Sequence, residues 1–101
     1  MKHFALFYEY GPNALAERAP HRAAHLTHIA AYAERGDVVL GGAFADPVDG
    51  ALIIFKSDSA AVADAFAHSD PYVVNNVAKS WRVREWTTVA GEGALTKVVL
   101  A

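Results

Sequence analysis

The 101-residue chain contains no cysteine. Disulfides, thiol nucleophiles and sulfur-ligated metals are therefore excluded. Charge is also scarce. Charged residues make up 20% of the chain, and its nine lysines and arginines form no basic patch that would neutralise phosphates. Nucleic-acid binding is not expected from such a balance. No apolar run approaches the roughly 20 residues that a membrane span requires. The start, Met1-Lys2-His3-Phe4, enters an alternating pattern directly, with no apolar signal core and cleavage site behind it. These absences give the expectation of a soluble cytoplasmic protein with no membrane partner.

Apolar residues, by contrast, are plentiful at 53%. A single domain of this length buries roughly 60–70% of its unfolded surface, so a surplus this large needs a partner surface or a pocket to cover it. The partner is the favoured reading.

His3 to Tyr10 alternate as a strand does, with Phe4, Leu6, Tyr8 and Tyr10 on one face and His3, Ala5, Phe7 and Glu9 on the other. Gly11-Pro12-Asn13 turns the chain. A helical pattern follows to Arg35. Its main helix is expected over Ala19–Arg35, with Pro20 in the first turn and Gly36 closing the end. Leu26, Ile29, Ala30 and Ala33 are the expected apolar stripe, and Arg22, His25, Ile29 and Tyr32 make a neighbouring one. Val38–Phe44 and Ala51–Phe55 read as a hairpin apolar on both faces, joined by Asp46-Pro47-Val48-Asp49-Gly50. A second helix, capped by Ser57, Asp58 or Ser59, runs to His68 with Val62 and Phe66 buried. Pro71 ends it or starts a short further turn. Ser80–Val89 is the last long strand, and Thr96–Leu100 a short extra one.

The order β-α-β-β-α-β predicts an α+β, ferredoxin-like domain over residues 1–101, with an antiparallel four-stranded sheet and helices on one face. A sheet face open to water should show polar alternation, which these strands lack. An identical chain laid against that face resolves the conflict, giving a homodimer, or a higher oligomer, with a barrel-like interior.

Two residues carry the chemistry. Asp70, in Ser69-Asp70-Pro71-Tyr72, is by local rules a turn initiator whose carboxylate caps the backbone beyond Pro71. It also ends a helix whose partner helix carries His25. An Asp–His pair would hold the imidazole in one tautomer and stabilise its protonated form. Arg22, Tyr8 and Tyr72 are available to bind an anionic or phenolic ligand, although each is equally readable as a surface charge, a core aromatic or a packed turn. His21, His25 and His28 cannot all reach one metal ion, because the outer two lie about 10.5 Å apart along the axis and a ligand must approach to about 2 Å, so at most one adjacent pair could bind and metal is a minor reading. Gly41-Gly42 sits inside a strand, with no phosphate-loop pattern around it.

In these segments the chain resembles the YciI family of small YCII-related proteins. The matches are Arg22-Ala23-Ala24-His25-Leu26, Gly36, Gly41-Gly42-Ala43 and Asp70-Pro71-Tyr72-Val73-Val74 with Val77. The likeness runs from about Lys2 to Val89 and leaves residues 90–101 as an extension. It implies a dimeric α/β-barrel, relatives among muconolactone-isomerase-like proteins, and a His–Asp pair at a cleft, here His25 and Asp70. One relative is a dehydrochlorinase of a chlorinated hydroquinone that uses no cofactor. The family's usual glycine is replaced by Asn76, the next-best residue for a left-handed conformation. Its usual proline is replaced by Ala43. The combined expectation is a cofactor-free enzyme, lyase- or isomerase-like, that moves a proton on a small cyclic or aromatic compound. Two alternatives are a ligand-binding or accessory dimer without turnover and a purely structural interaction module.

Overall fold

The computed structural model describes residues 1–99. Strand β1 (Lys2–Tyr10) leads into a short helix α1 (Ala14–Arg18), a single 3-10 turn (Ala19–His21) and helix α2 (Arg22–Glu34). Strands β2 (Val38–Ala43) and β3 (Gly50–Ser57) follow as a hairpin, then helix α3 (Ala61–Ser69), the one-turn helix α4 (Pro71–Val74) and strand β4 (Ala78–Trp86). All neighbouring strands are antiparallel, in the order β2-β3-β1-β4. This is the α+β, ferredoxin-like arrangement that the order of elements predicts.

The main helix, expected from Ala19, begins three residues later, after a 3-10 turn over Ala19–His21. Pro20 has no N–H to donate to the residue four places back, so the chain tightens into the 3-10 turn and restarts at Arg22. The stripe facing the sheet also differs from expectation. Leu26, Ala30 and Ala33 are exposed, and the buried residue of α2 is His25, with His28, Ile29 and Tyr32 half-buried beside it. The aromatic cluster accounts for this rotation. Tyr32 meets Phe66 edge-on at 5.0 Å, and His28 lies 4.5 Å from the same ring while its Nε2 reaches the Phe66 carbonyl at 3.0 Å. Three large rings gain more from burial than alanines can. Gly36 closes α2 at φ +85°, as a C-terminal glycine should.

On the helix-covered face, Phe4, Leu6 and Tyr8 of β1 and Ile53 and Phe55 of β3 pack with Ala63, Phe66 and Ala67 of α3. Val62 is only half-buried, so the buried stripe of α3 is 63, 66, 67, and Asp70 continues it one turn further. The helix starts where the Ser59 hydroxyl accepts the Ala61 N–H at 3.3 Å. Asn76 takes the left-handed conformation at φ +56° and ends the α4 segment.

The other sheet face carries Ala5, Phe7, Leu52 and Ile54, with Leu40 and Trp86 largely exposed at its margins. The β4 strand ends at Trp86, three residues before the expected Val89. Thr96–Val99 form no strand, and Leu100 lies outside the described residues. The tail instead turns back on Thr88, whose hydroxyl accepts the Leu95 N–H at 3.0 Å and whose carbonyl accepts the Thr96 N–H at 2.9 Å. Among the described residues no helix is long and apolar enough to cross a membrane.

Candidate functional site

The junction of α3 and α4 places Asp70. A residue before proline is driven out of the helical region, and Asp70 adopts φ −69°, ψ 126° between the two helices. Its side chain then accepts the Tyr72 N–H on Oδ1 at 3.0 Å, as an N-cap. The same carboxylate, fully buried, takes two further partners. His25 Nδ1 lies 2.8 Å from Oδ1 and 3.0 Å from Oδ2, and the Tyr8 hydroxyl donates to Oδ2 at 2.6 Å. The capping contact with Tyr72 and the contacts with His25 and Tyr8 thus coexist on one carboxylate.

These contacts leave His25 with one free ring nitrogen. Nδ1 faces the carboxylate, which favours the tautomer with its proton there, so Nε2 remains for a bound molecule. The imidazole lies flat on the Tyr72 ring, with centroids 3.8 Å apart and planes 3° from parallel. His25, buried between the Tyr72 ring and the Asp70 carboxylate, thus has little freedom to tilt.

A cleft of about 390 Å³ opens beside it. Leu26, Ile29, Gly41, Phe44, Val48 and Ile53 form its apolar wall, and Arg18, Arg22, Tyr10, Tyr72 and His25 its polar one. No serine, threonine, lysine or carboxylate is among the lining residues. Gly41 of β2 leaves room along this wall. A Cβ on Gly41 would stand 2.9 Å from the Ile29 Cδ1 atom.

Of the five residues singled out in the sequence, His25, Asp70 and Tyr72 meet directly, and Arg22 lines the same cleft. Tyr8 has a different place. Its hydroxyl is committed to Asp70, and its ring borders a second hollow with Phe7, Trp81 and Arg82 instead of the His25 cleft. Burial, and the Asp70 carboxylate it bonds, push the Tyr8 hydroxyl well above the ordinary phenol range. Arg18 and Tyr10 also line the cleft, though neither stands out in the sequence. Arg18 and Arg22 are separated by the Pro20 break, which hides their common side, and Tyr10 reads as core. Burial and the neighbouring Tyr72 and Asp70 push the Tyr10 hydroxyl up to about 12, against the opposing pull of Arg18 and Arg22. The three helix histidines do not converge. His28 is held by the Phe66 carbonyl, and among the described residues no group of three or more His, Cys, Asp or Glu side chains is placed to hold a metal.

A model of the YCII-related domain matches residues 1–87. No curated protein matches the sequence. Among solved structures, the chain is similar to 5-chloro-2-hydroxyhydroquinone dehydrochlorinase (TftG) from Burkholderia phenoliruptrix AC1100, determined in complex with 2,5-dihydroxybenzoquinone. The identity is 19% and the TM-score 0.73, covering 85% of this chain and 94% of that one. At that identity the likeness is one of fold.

Proposed function

Because the chain belongs to the YCII-related domain family, we propose that it is a small cofactor-free enzyme that transfers a proton on a small cyclic or aromatic compound. The observation that carries this is the 2.8 Å contact of His25 Nδ1 with a buried carboxylate, at the wall of an apolar cleft. Nε2 of His25 takes a proton from a ring C–H or O–H, and Asp70 holds the imidazolium that forms. The released electron pair either expels a halide from an adjacent carbon or draws a proton back at another position. The first outcome is an elimination and the second an isomerisation. Tyr8 orients Asp70, and Tyr72 supports the imidazole from its flat side. The dehydrochlorinase with the similar fold acts on a ring compound of a size that suits a cleft at the small end of ligand pockets.

The assembly belongs to the same proposal. The bare sheet face, with Ala5, Phe7, Leu52 and Ile54 at its centre, is covered by the same face of a second copy.

The test is turnover of chlorinated hydroquinones, substituted phenols and lactones by the purified chain and two variants. His25→Ala and Asp70→Asn each lower the rate by about 10²–10⁴ while circular dichroism stays that of the wild type. Wild-type rates in both variants refute the assignment. Binding of these compounds without turnover in the wild type favours a ligand-binding dimer instead.

A further inference from the structure

Apart from His25, the polar wall of the cleft is made of guanidinium groups and phenols. Arg18 and Arg22 bring two guanidinium groups, and among the described residues neither takes part in an ion pair. Among the described residues no carboxylate lines the cleft to balance them. The Tyr72 hydroxyl is buried and, among the described residues, has no hydrogen-bond partner, on a residue only 2% exposed. A buried hydroxyl left in that state is destabilising and rare, and a ligand oxygen would relieve it. Tyr10 completes the group. Its ring meets Tyr72 edge-on with centroids 6.0 Å apart, and both line the same cleft as Arg18 and Arg22. Since its ionisation is suppressed, Tyr10 too presents an O–H at neutral pH.

From this donor set we infer that Arg18, Arg22, Tyr10 and Tyr72 form a carboxylate subsite, and that the substrate is a small ring bearing a carboxylate. The class follows from counting acceptors. Two guanidinium forks and two hydroxyls offer more donors than the single oxygen of a phenolate can accept. A carboxylate presents two oxygens with about four lone-pair sites and matches a guanidinium fork in bidentate fashion. Its negative charge also answers an uncompensated pair of cations in a partly enclosed site. With the carboxylate held there, the ring lies along the apolar wall of Ile29, Phe44 and Val48, beside His25.

The inference rests on the proposed function only in taking this cleft as the substrate site, and it is tested without turnover. Benzoate and furan-2-carboxylate are titrated into the full chain against benzamide and furan-2-carboxamide, which have the same shapes and no charge. Each carboxylate binds about tenfold or more tighter than its amide. Arg18→Gln and Arg22→Gln each remove about tenfold of that preference and leave amide binding unchanged. Tyr72→Phe weakens the carboxylates and raises the melting temperature, because it deletes an unpaired buried hydroxyl; a merely structural tyrosine would not give both changes. Carboxylates that bind no better than their amides, including no binding at all, overturn the assignment, as does a charge preference that survives in the double arginine variant. Loss of the carboxylate preference leaves the His25 chemistry standing. Loss of His25-dependent turnover likewise leaves the subsite standing.

Discussion

The His25 and Tyr72 rings stack 3.8 Å apart and 3° from parallel, and the backbone N–H of the same Tyr72 is capped by the carboxylate that His25 contacts. Tyr72 therefore holds both members of the pair, one through its ring and the other through its main chain. The closed loop His25–Asp70–Tyr72 couples the one-turn helix α4 to α2 across a stretch of 45 residues in sequence.

Tyr8 tightens this loop from the sheet side, and its removal separates support from chemistry. Tyr8→Phe deletes the 2.6 Å bond to Asp70 Oδ2 and lowers stability by about 1–3 kcal/mol, because a buried acceptor loses a partner. Turnover falls less than in Asp70→Asn. Proton NMR distinguishes the two variants. The downfield Nδ1–H signal of His25 persists in Tyr8→Phe and disappears in Asp70→Asn.

Two glycines predict opposite costs. A Cβ on Gly50 would run into the backbone oxygen of Tyr8, which cannot move without breaking the β1–β3 ladder. Gly50→Ala lowers the denaturation free energy by about 1–3 kcal/mol or more. A Cβ on Gly41 comes too close only to the Cδ1 end of Ile29, which can swing aside, and meets Ile53 at 3.4 Å, an ordinary contact. Gly41→Ala costs less than about 1 kcal/mol and instead shows as altered ligand affinity, since Ile29 moves within the cleft.

Charge placed on the bare face should separate the copies. Leu40 is 73% exposed and Leu52 half-buried on that face. The double variant Leu40→Glu, Leu52→Glu gives a monomer by light scattering, while the wild type gives a dimer. A monomeric wild type, or a dimeric variant, refutes the covered face.

Alkaline pH should weaken the fold through the buried phenols. Burial, with Tyr72 and Asp70 nearby, pushes the Tyr10 hydroxyl up to about 12, above the ordinary phenol range, and Tyr8 shifts in the same direction. The folded state thus holds these protons more tightly than the unfolded one. The resulting stability is fully present below about pH 10 and declines as the pH rises towards 12. Urea denaturation midpoints should fall across that interval, and by less in Tyr10→Phe.

Much of the fold was legible in the sequence, and for local reasons. Alternation in β1, the Pro–Gly turns and the alanine-rich α3 report on neighbours a few residues away, and Asn76 in place of a glycine foretold a left-handed residue. The break at Pro20 and the face of α2 were not legible. Leu26, Ala30 and Ala33 make the better hydrophobic stripe on paper, yet His28 and Tyr32 are turned inward by rings on α3 and β3. Arg18 and Tyr10 were missed for the same reason, since their common purpose lies across a helix break and a strand.

The sequence by itself determined the element order, the apolar second face of β1 and β3 and the turn that Asp70 must make before Pro71, because each depends on local geometry and periodicity. Only the tertiary structure decided that Asp70 meets His25 at 2.8 Å, that Tyr8 serves the carboxylate and that two arginines share one cleft. Those contacts join residues far apart in the chain, and their distances follow from how helices of particular bulk settle on a twisted sheet.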